Sequence, residues 1–148
     1  MTVSIYEAAG GEHAFVALAH ACHARCLADP IVSHTFSHGY HREHCERLAA
    51  YWAEALGGPT VYSDSLGNET EVIRIHSCNG EHLEMDELAE ACFALALDDA
   101  TLPDDARLRS TLTHYFHWAN ETMSAHPHST DGLADGLVVA KWSWDGPL

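Results

Sequence analysis

Apolar residues recur at three- and four-residue steps along most of the chain, the spacing of helices that bury one face. Ser4-Ile5-Tyr6-Glu7 has the Ser-x-x-Glu form of a capping box and predicts a short first helix, closed by Gly10-Gly11. Phe15, Leu18, Cys22 and Cys26 then define a second helix, ended by Asp29-Pro30 because the residue before proline avoids helical backbone. A looser stretch runs from Ile31 to Gly39. From Tyr40 to Leu56 the period returns, with His44, Leu48, Tyr51, Trp52 and Ala55 on one face, until Gly57-Gly58-Pro59 breaks it. Residues 63–69 read as a polar loop, and Thr70 as the cap of a short helix carrying Val72, Ile73 and His76. Met85, Leu88, Ala89, Cys92, Leu95 and Ala96 mark the next helix. The last begins near Pro103 and carries the cleanest stripe, Leu108, Leu112, Tyr115, Phe116, Ala119 and Met123.

After His126-Pro127 the pattern dissolves into a stretch rich in glycine, aspartate and proline that still contains Trp142 and Trp144. Two tryptophans are costly to leave in water, so this stretch is expected to fold back on the body or to meet another subunit. No strand alternation persists beyond Val138-Val139. The expected architecture is all-α: one helical domain over residues 1–125, followed by an irregular extension over residues 126–148.

Length supports that reading, since 148 residues suit a single core. Charge narrows the partners. Twenty-two acidic against seven basic side chains give −15, which disfavours phosphate backbones and anionic membrane surfaces. The five cysteines are widely spaced and form no Cys-x-x-Cys, so free thiols in a reducing compartment are expected. With neither a leader-like start nor a run of 18 apolar residues, a soluble cytoplasmic protein is expected.

The 13 histidines point to metal, cofactor or proton chemistry. His23, His44 and His76 lie on or beside faces that otherwise read as core, and a buried imidazole requires either a hydrogen bond or a metal. His34, His38, His41 and His44 step by four, three and three, and His114, His117 and Glu121 by three and four. Such steps could form a non-haem metal site, but paired Glu-x-x-His motifs and His-Glu-x-x-His are both absent. Phosphate-cradling glycine loops are absent too.

The order of these signals resembles the truncated haemoglobins, two-over-two helical globins, and among them the second group. The resemblance spans about residues 4–125. It rests on Ile5-Tyr6-Glu7-Ala8-Ala9-Gly10-Gly11 with Phe15, Leu27-Ala28-Asp29-Pro30, Glu46-Arg47-Leu48, Gly57-Gly58-Pro59-x-x-Tyr62-Ser63, Arg74-Ile75-His76 and Leu102-Pro103. It implies haem b, a small gaseous ligand (oxygen, nitric oxide or carbon monoxide) and an external reductant, with a homodimer as a further expectation. By that resemblance His76 is the proximal iron ligand, with its other ring nitrogen oriented by an acceptor. Phe36 wedges the haem on the distal side, His44 faces the ligand and could itself bind iron, and Leu48 forms the apolar wall. Tyr62 and Arg74 fall near the haem edge and the propionates.

The chain also departs from the pattern. His23, after Cys22, stands where the family has a distal tyrosine. Leu88 or Ala89 replaces a common tryptophan, and His82 is near enough in sequence to compete with His76. Two distal imidazoles allow hydrogen bonding to a diatomic ligand, direct iron ligation, or acid–base work at an O–O bond. The expected function is therefore a haem-binding globin with possible nitric-oxide-detoxifying redox activity. The alternative is a peroxidase-like haem enzyme with His23 and His44 as its catalytic groups. A third reading is a histidine-rich metal-storage or interaction protein.

Overall fold

A computed structural model describes residues 2–148. Its helices are α1 (Ile5–Ala9), α2 (Glu12–Ala28), α3 (His44–Ala55), α4 (Val61–Ser65), α5 (Glu69–Ile75), α6 (Leu83–Asp99) and α7 (Ala106–Met123). A 3-10 turn spans Val32–Phe36, and a minimal antiparallel ribbon joins β1 (Trp142–Ser143) to β2 (Gly146–Pro147). The helix α2 packs on both α3 and α6, and α6 packs on α7. Two helix pairs thus meet through α2. Their shared core holds Phe15, Leu18, Leu108 and Leu112, all essentially excluded from water. Each such side chain contributes about 1.5–3 kcal/mol on burial. Phe93 stacks on Phe116 at 4.3 Å, and Trp52 meets both rings edge-on.

The two glycine motifs come together in space. Tyr6 N–H donates to Leu56 O at 2.9 Å, and a Cβ on Gly58 would stand 2.7 Å from the Tyr6 ring. Gly10 ends α1 in the left-handed region at φ 117°, where a side chain would be strained. The glycines therefore let the first helix dock on the corner after α3.

Local expectations needed adjustment in four places. Residues 40–43 are not helical, with a turn at 42–43, and α3 starts only at His44, whose N–H donates to His41 O while His41 Nδ1 accepts from Glu43 N–H. The stretch read as a loop begins inside α4, which the buried Glu54 holds by accepting from Ser63 N–H at 2.8 Å and from the Ser63 hydroxyl. Asn68, not Thr70, caps α5, its side chain accepting from Glu71 N–H at 2.9 Å. The last helix starts at Ala106 under Asp105, whose carboxylate accepts from Arg107 and Leu108 N–H.

Residues 126–148 lie along the body. Val139 and Trp142 are buried, and Trp142 sits against Tyr115 and Trp118. The Trp144 indole N–H donates to Val3 O at 2.8 Å, beneath the Arg107 guanidinium. Lys141 Nζ meets Glu54 at 2.8 Å. Burial pushes the Glu54 carboxyl up, but Lys141 and Ser63 together hold it below the ordinary carboxylate range.

Candidate functional site

The helix α3 has a long apolar-facing stripe, so its first residue, His44, turns towards α2 instead of solvent. There it meets His23, with ring centroids 4.8 Å apart. Phe36, at the end of the 3-10 turn, stands edge-on to His23 at 4.8 Å and to His44 at 5.3 Å. Tyr40 closes the group at 4.5 Å from His23. Leu48, one turn beyond His44, is half-buried against the core. Tyr40 is the member that sequence reasoning missed. Its signal was its place four residues before His44, hidden because it was counted as a helix residue.

Among the described residues neither ring nitrogen of His23 has a hydrogen-bond partner, although both are shielded from solvent, and Trp142 Nε1 is in the same condition. Such orphaned polar atoms cost about 1–3 kcal/mol each. Burial and then the neighbouring His20 lower the basicity of His23. His44 is pushed down to about 4 by burial, then by repulsion from His23 and from His76. Both distal imidazoles are thus neutral at pH 7, each with one N–H to donate and one lone pair to offer.

His76 follows α5 as its C-cap, and its Nδ1 lies 2.7 Å from Val72 O. A carbonyl only accepts, so Nδ1 carries a proton, and in the neutral ring Nε2 would present the lone pair. Among the described residues Nε2 has no partner. Ile75, next to it in sequence, is 72% exposed, an apolar side chain left open to solvent. The helix α5 packs on α7 and not broadly on α3, and His76 lies near enough to His44 to lower its basicity. A flat apolar group carrying a metal fits these features: an oriented imidazole with an unpartnered Nε2, an exposed apolar side chain next to it in sequence, and the unpartnered imidazole of His23.

The remaining predicted residues are engaged elsewhere. Tyr62 is buried with its ring edge-on to Tyr51 at 5.4 Å, so it does not join the histidine cluster. Arg74 Nη2 is 2.6 Å from Asp135, drawn to the extension and not to an open site. His82 caps α6, with Nδ1 2.9 Å from Asp86, which in turn accepts from the Ser124 hydroxyl. His117 lies between Glu90 and Glu121, which raise its basicity, and His114 is exposed. Among the described residues no three His, Cys, Asp or Glu side chains gather to hold a metal ion alone, which leaves the metal-storage reading without a centre.

The chain belongs to the bacterial-like globins, whose family model matches residues 4–125, and its fold is that of the two-over-two truncated haemoglobins. Among solved structures it is similar to the haemoglobin of Chloroflexus aurantiacus at 27% identity, covering 82% of this chain and 98% of that one, with a TM-score of 0.70. A haemoglobin of Thermobifida fusca matches at 28% identity over 82% and 97% of the two chains, TM-score 0.69. The group II truncated haemoglobin of Bacillus anthracis, at 20% identity over 90% and 99%, shares the fold with a TM-score of 0.74. A comparison with curated proteins finds no match. Family and site together define a haem-binding globin. Among the described residues no helix is long and apolar enough to cross a membrane.

Proposed function

We propose that this globin binds haem b through His76 Nε2 and uses it to bind oxygen or nitric oxide, with an external reductant keeping the iron ferrous. The observation that carries the proposal is the His76–Val72 hydrogen bond, which orients the ring and leaves Nε2 without a partner among the described residues. Bound haem iron would supply an open coordination position and one-electron redox chemistry. His44 and His23, both neutral, would donate hydrogen bonds to a diatomic ligand or offer a lone pair to the metal. Phe36, Tyr40 and Leu48 would keep water from that face. A role at the propionates would require Arg74 to leave Asp135, and Tyr62 would act from behind, through Tyr51.

The depressed basicity of both distal imidazoles bears on the peroxidase-like alternative. At neutral pH each starts as a base, and the proton it accepts can be returned to a leaving oxygen, so acid–base work at an O–O bond stays open to them. Five free thiols suit a reducing cytoplasm. The test is a spectrum of the purified protein after hemin addition: ferric, reduced, and reduced with carbon monoxide. A Soret band that shifts at each step is expected. No band after reconstitution would contradict the proposal.

A further inference from the structure

The helix α5 has only seven residues, too few to hold helical backbone without tertiary support. Yet its end presents His76. Much of the missing support comes from the extension, which lies beyond the family match at residues 4–125. Thr70, essentially fully buried, is the hinge of that contact. Its hydroxyl donates to Ala134 O at 2.7 Å and accepts from Leu137 N–H at 3.0 Å. Glu69 joins in twice: its N–H donates to Leu137 O at 2.9 Å, and its carboxylate accepts from Ala140 N–H at 2.9 Å. The other carboxylate oxygen accepts from Tyr51 OH at 2.6 Å, which ties the same knot to α3 and so to the helix that starts at His44. Beyond His76, Cys78 N–H donates to His126 O at 2.9 Å and Gly80 N–H to Pro127 O at 2.8 Å. The extension therefore holds the chain on both sides of His76.

We propose that residues 134–140 form a strap that sets the position of the His76 imidazole, with Thr70 as its positioning residue. This rests on the reading of His76 as the haem ligand. The strap works by geometry: it accepts from Glu69 N–H, a first-turn donor with no partner within the helix, and pins the Thr70 hydroxyl and the Glu69 carboxylate. Loosening it lets α5 fray and gives His76 a range of positions in place of one. In a globin of similar fold without this extension, α5 would need other support.

The test uses the full chain with Thr70→Val, which keeps the shape but removes both hydrogen bonds, and Thr70→Ser, which restores them. Glu69→Gln is the second variant, because it deprives either Tyr51 or Ala140 of its acceptor. Amide hydrogen exchange of the hemin-free protein reads α5 directly. In the hemin-loaded protein, the iron–histidine stretching band and the rate of hemin transfer to a tighter apo-globin read His76. Thr70→Val is expected to speed exchange over residues 70–76 about tenfold, with α2 and α6 unchanged, since an unmade buried hydrogen bond has that effect. It should also broaden or shift the stretching band and hasten hemin loss, Thr70→Ser should behave as wild type, and Glu69→Gln should move the readouts in the same direction as Thr70→Val. Unchanged exchange in Thr70→Val, or faster exchange with an unchanged band and hemin rate, would overturn the strap. The two readings fail separately. A wild-type chain without a Soret band contradicts haem binding, whereas a wild-type chain with one, and variants identical to it, contradicts the strap.

Discussion

The molecule holds two clusters of polar side chains in apolar surroundings, and it treats them in opposite ways. Where the extension meets the body, Glu54 and Glu69 are deeply buried and matched by Ser63, Lys141, Tyr51 and Ala140. Between α2 and α3, His23 has no partner on either nitrogen among the described residues, and the exposed His76 keeps one nitrogen free. The buried carboxylates that hold the extension are satisfied, whereas the His23 imidazole is not and lowers stability. Trp142 Nε1, in the extension, is unpartnered as well, so the contrast is between the carboxylates and the imidazole and not between whole regions.

Breaking the satisfied cluster should have the largest effect. Glu54→Ala would leave Lys141 and Ser63 without their acceptor and is expected to cost about 2–3 kcal/mol, below the fully buried case because Lys141 is partly exposed. Urea unfolding of the hemin-free protein measures it, and an unchanged midpoint would show that the carboxylate does not anchor the extension. Removing an orphan should do the reverse. His23→Leu is expected to stabilise the hemin-free chain by about 1–2 kcal/mol, because two unpaired polar atoms leave the interior. A loss of stability would mean that His23 has partners after all.

Acid titration sharpens the comparison further. His44 is held near 4, by burial first and then by His23 and His76, with His41 adding repulsion and Glu46 opposing it. The unfolded chain therefore binds its proton first as pH falls, so the stability this histidine contributes is complete above about 6.5 and is lost between there and 4. His44→Leu should flatten that limb of the unfolding midpoint against pH, and an unchanged slope would count against burial of His44. The smallest effect belongs to His117, which Glu90 and then Glu121 hold in its protonated form. Its contribution runs the other way, full below 6.5 and lost as pH rises through its folded value. His117→Gln should remove a shallow alkaline decline and leave the acid limb alone.

Helix order, the glycine corners and the inward placement of His23 and His44 were all readable in the sequence, because each depends on local period or on a turn that glycine suits. What escaped depends on distant partners. Thr70 resembles a cap by its type and position, but its hydroxyl is taken by Ala134 and Leu137, and Asn68 caps instead. Arg74 next to Ile75-His76 suggests an anion partner, and it has one, Asp135 of the extension. The short α4 lay hidden because Glu54 holds it from the helix before. Tyr62 follows the same logic: its place behind Tyr51 is set by how α4 packs on α3.

The measurement closest to the central claim compares hemin-loaded wild type, His76→Gly and His82→Ala by ferric and reduced spectra, with and without added imidazole. Wild type and His82→Ala should give the same Soret band, while His76→Gly loses or displaces it and recovers it when imidazole fills the gap. Loss of the band in His82→Ala, with His76→Gly unaffected, would contradict the assignment of His76 and move the iron ligand to the start of α6.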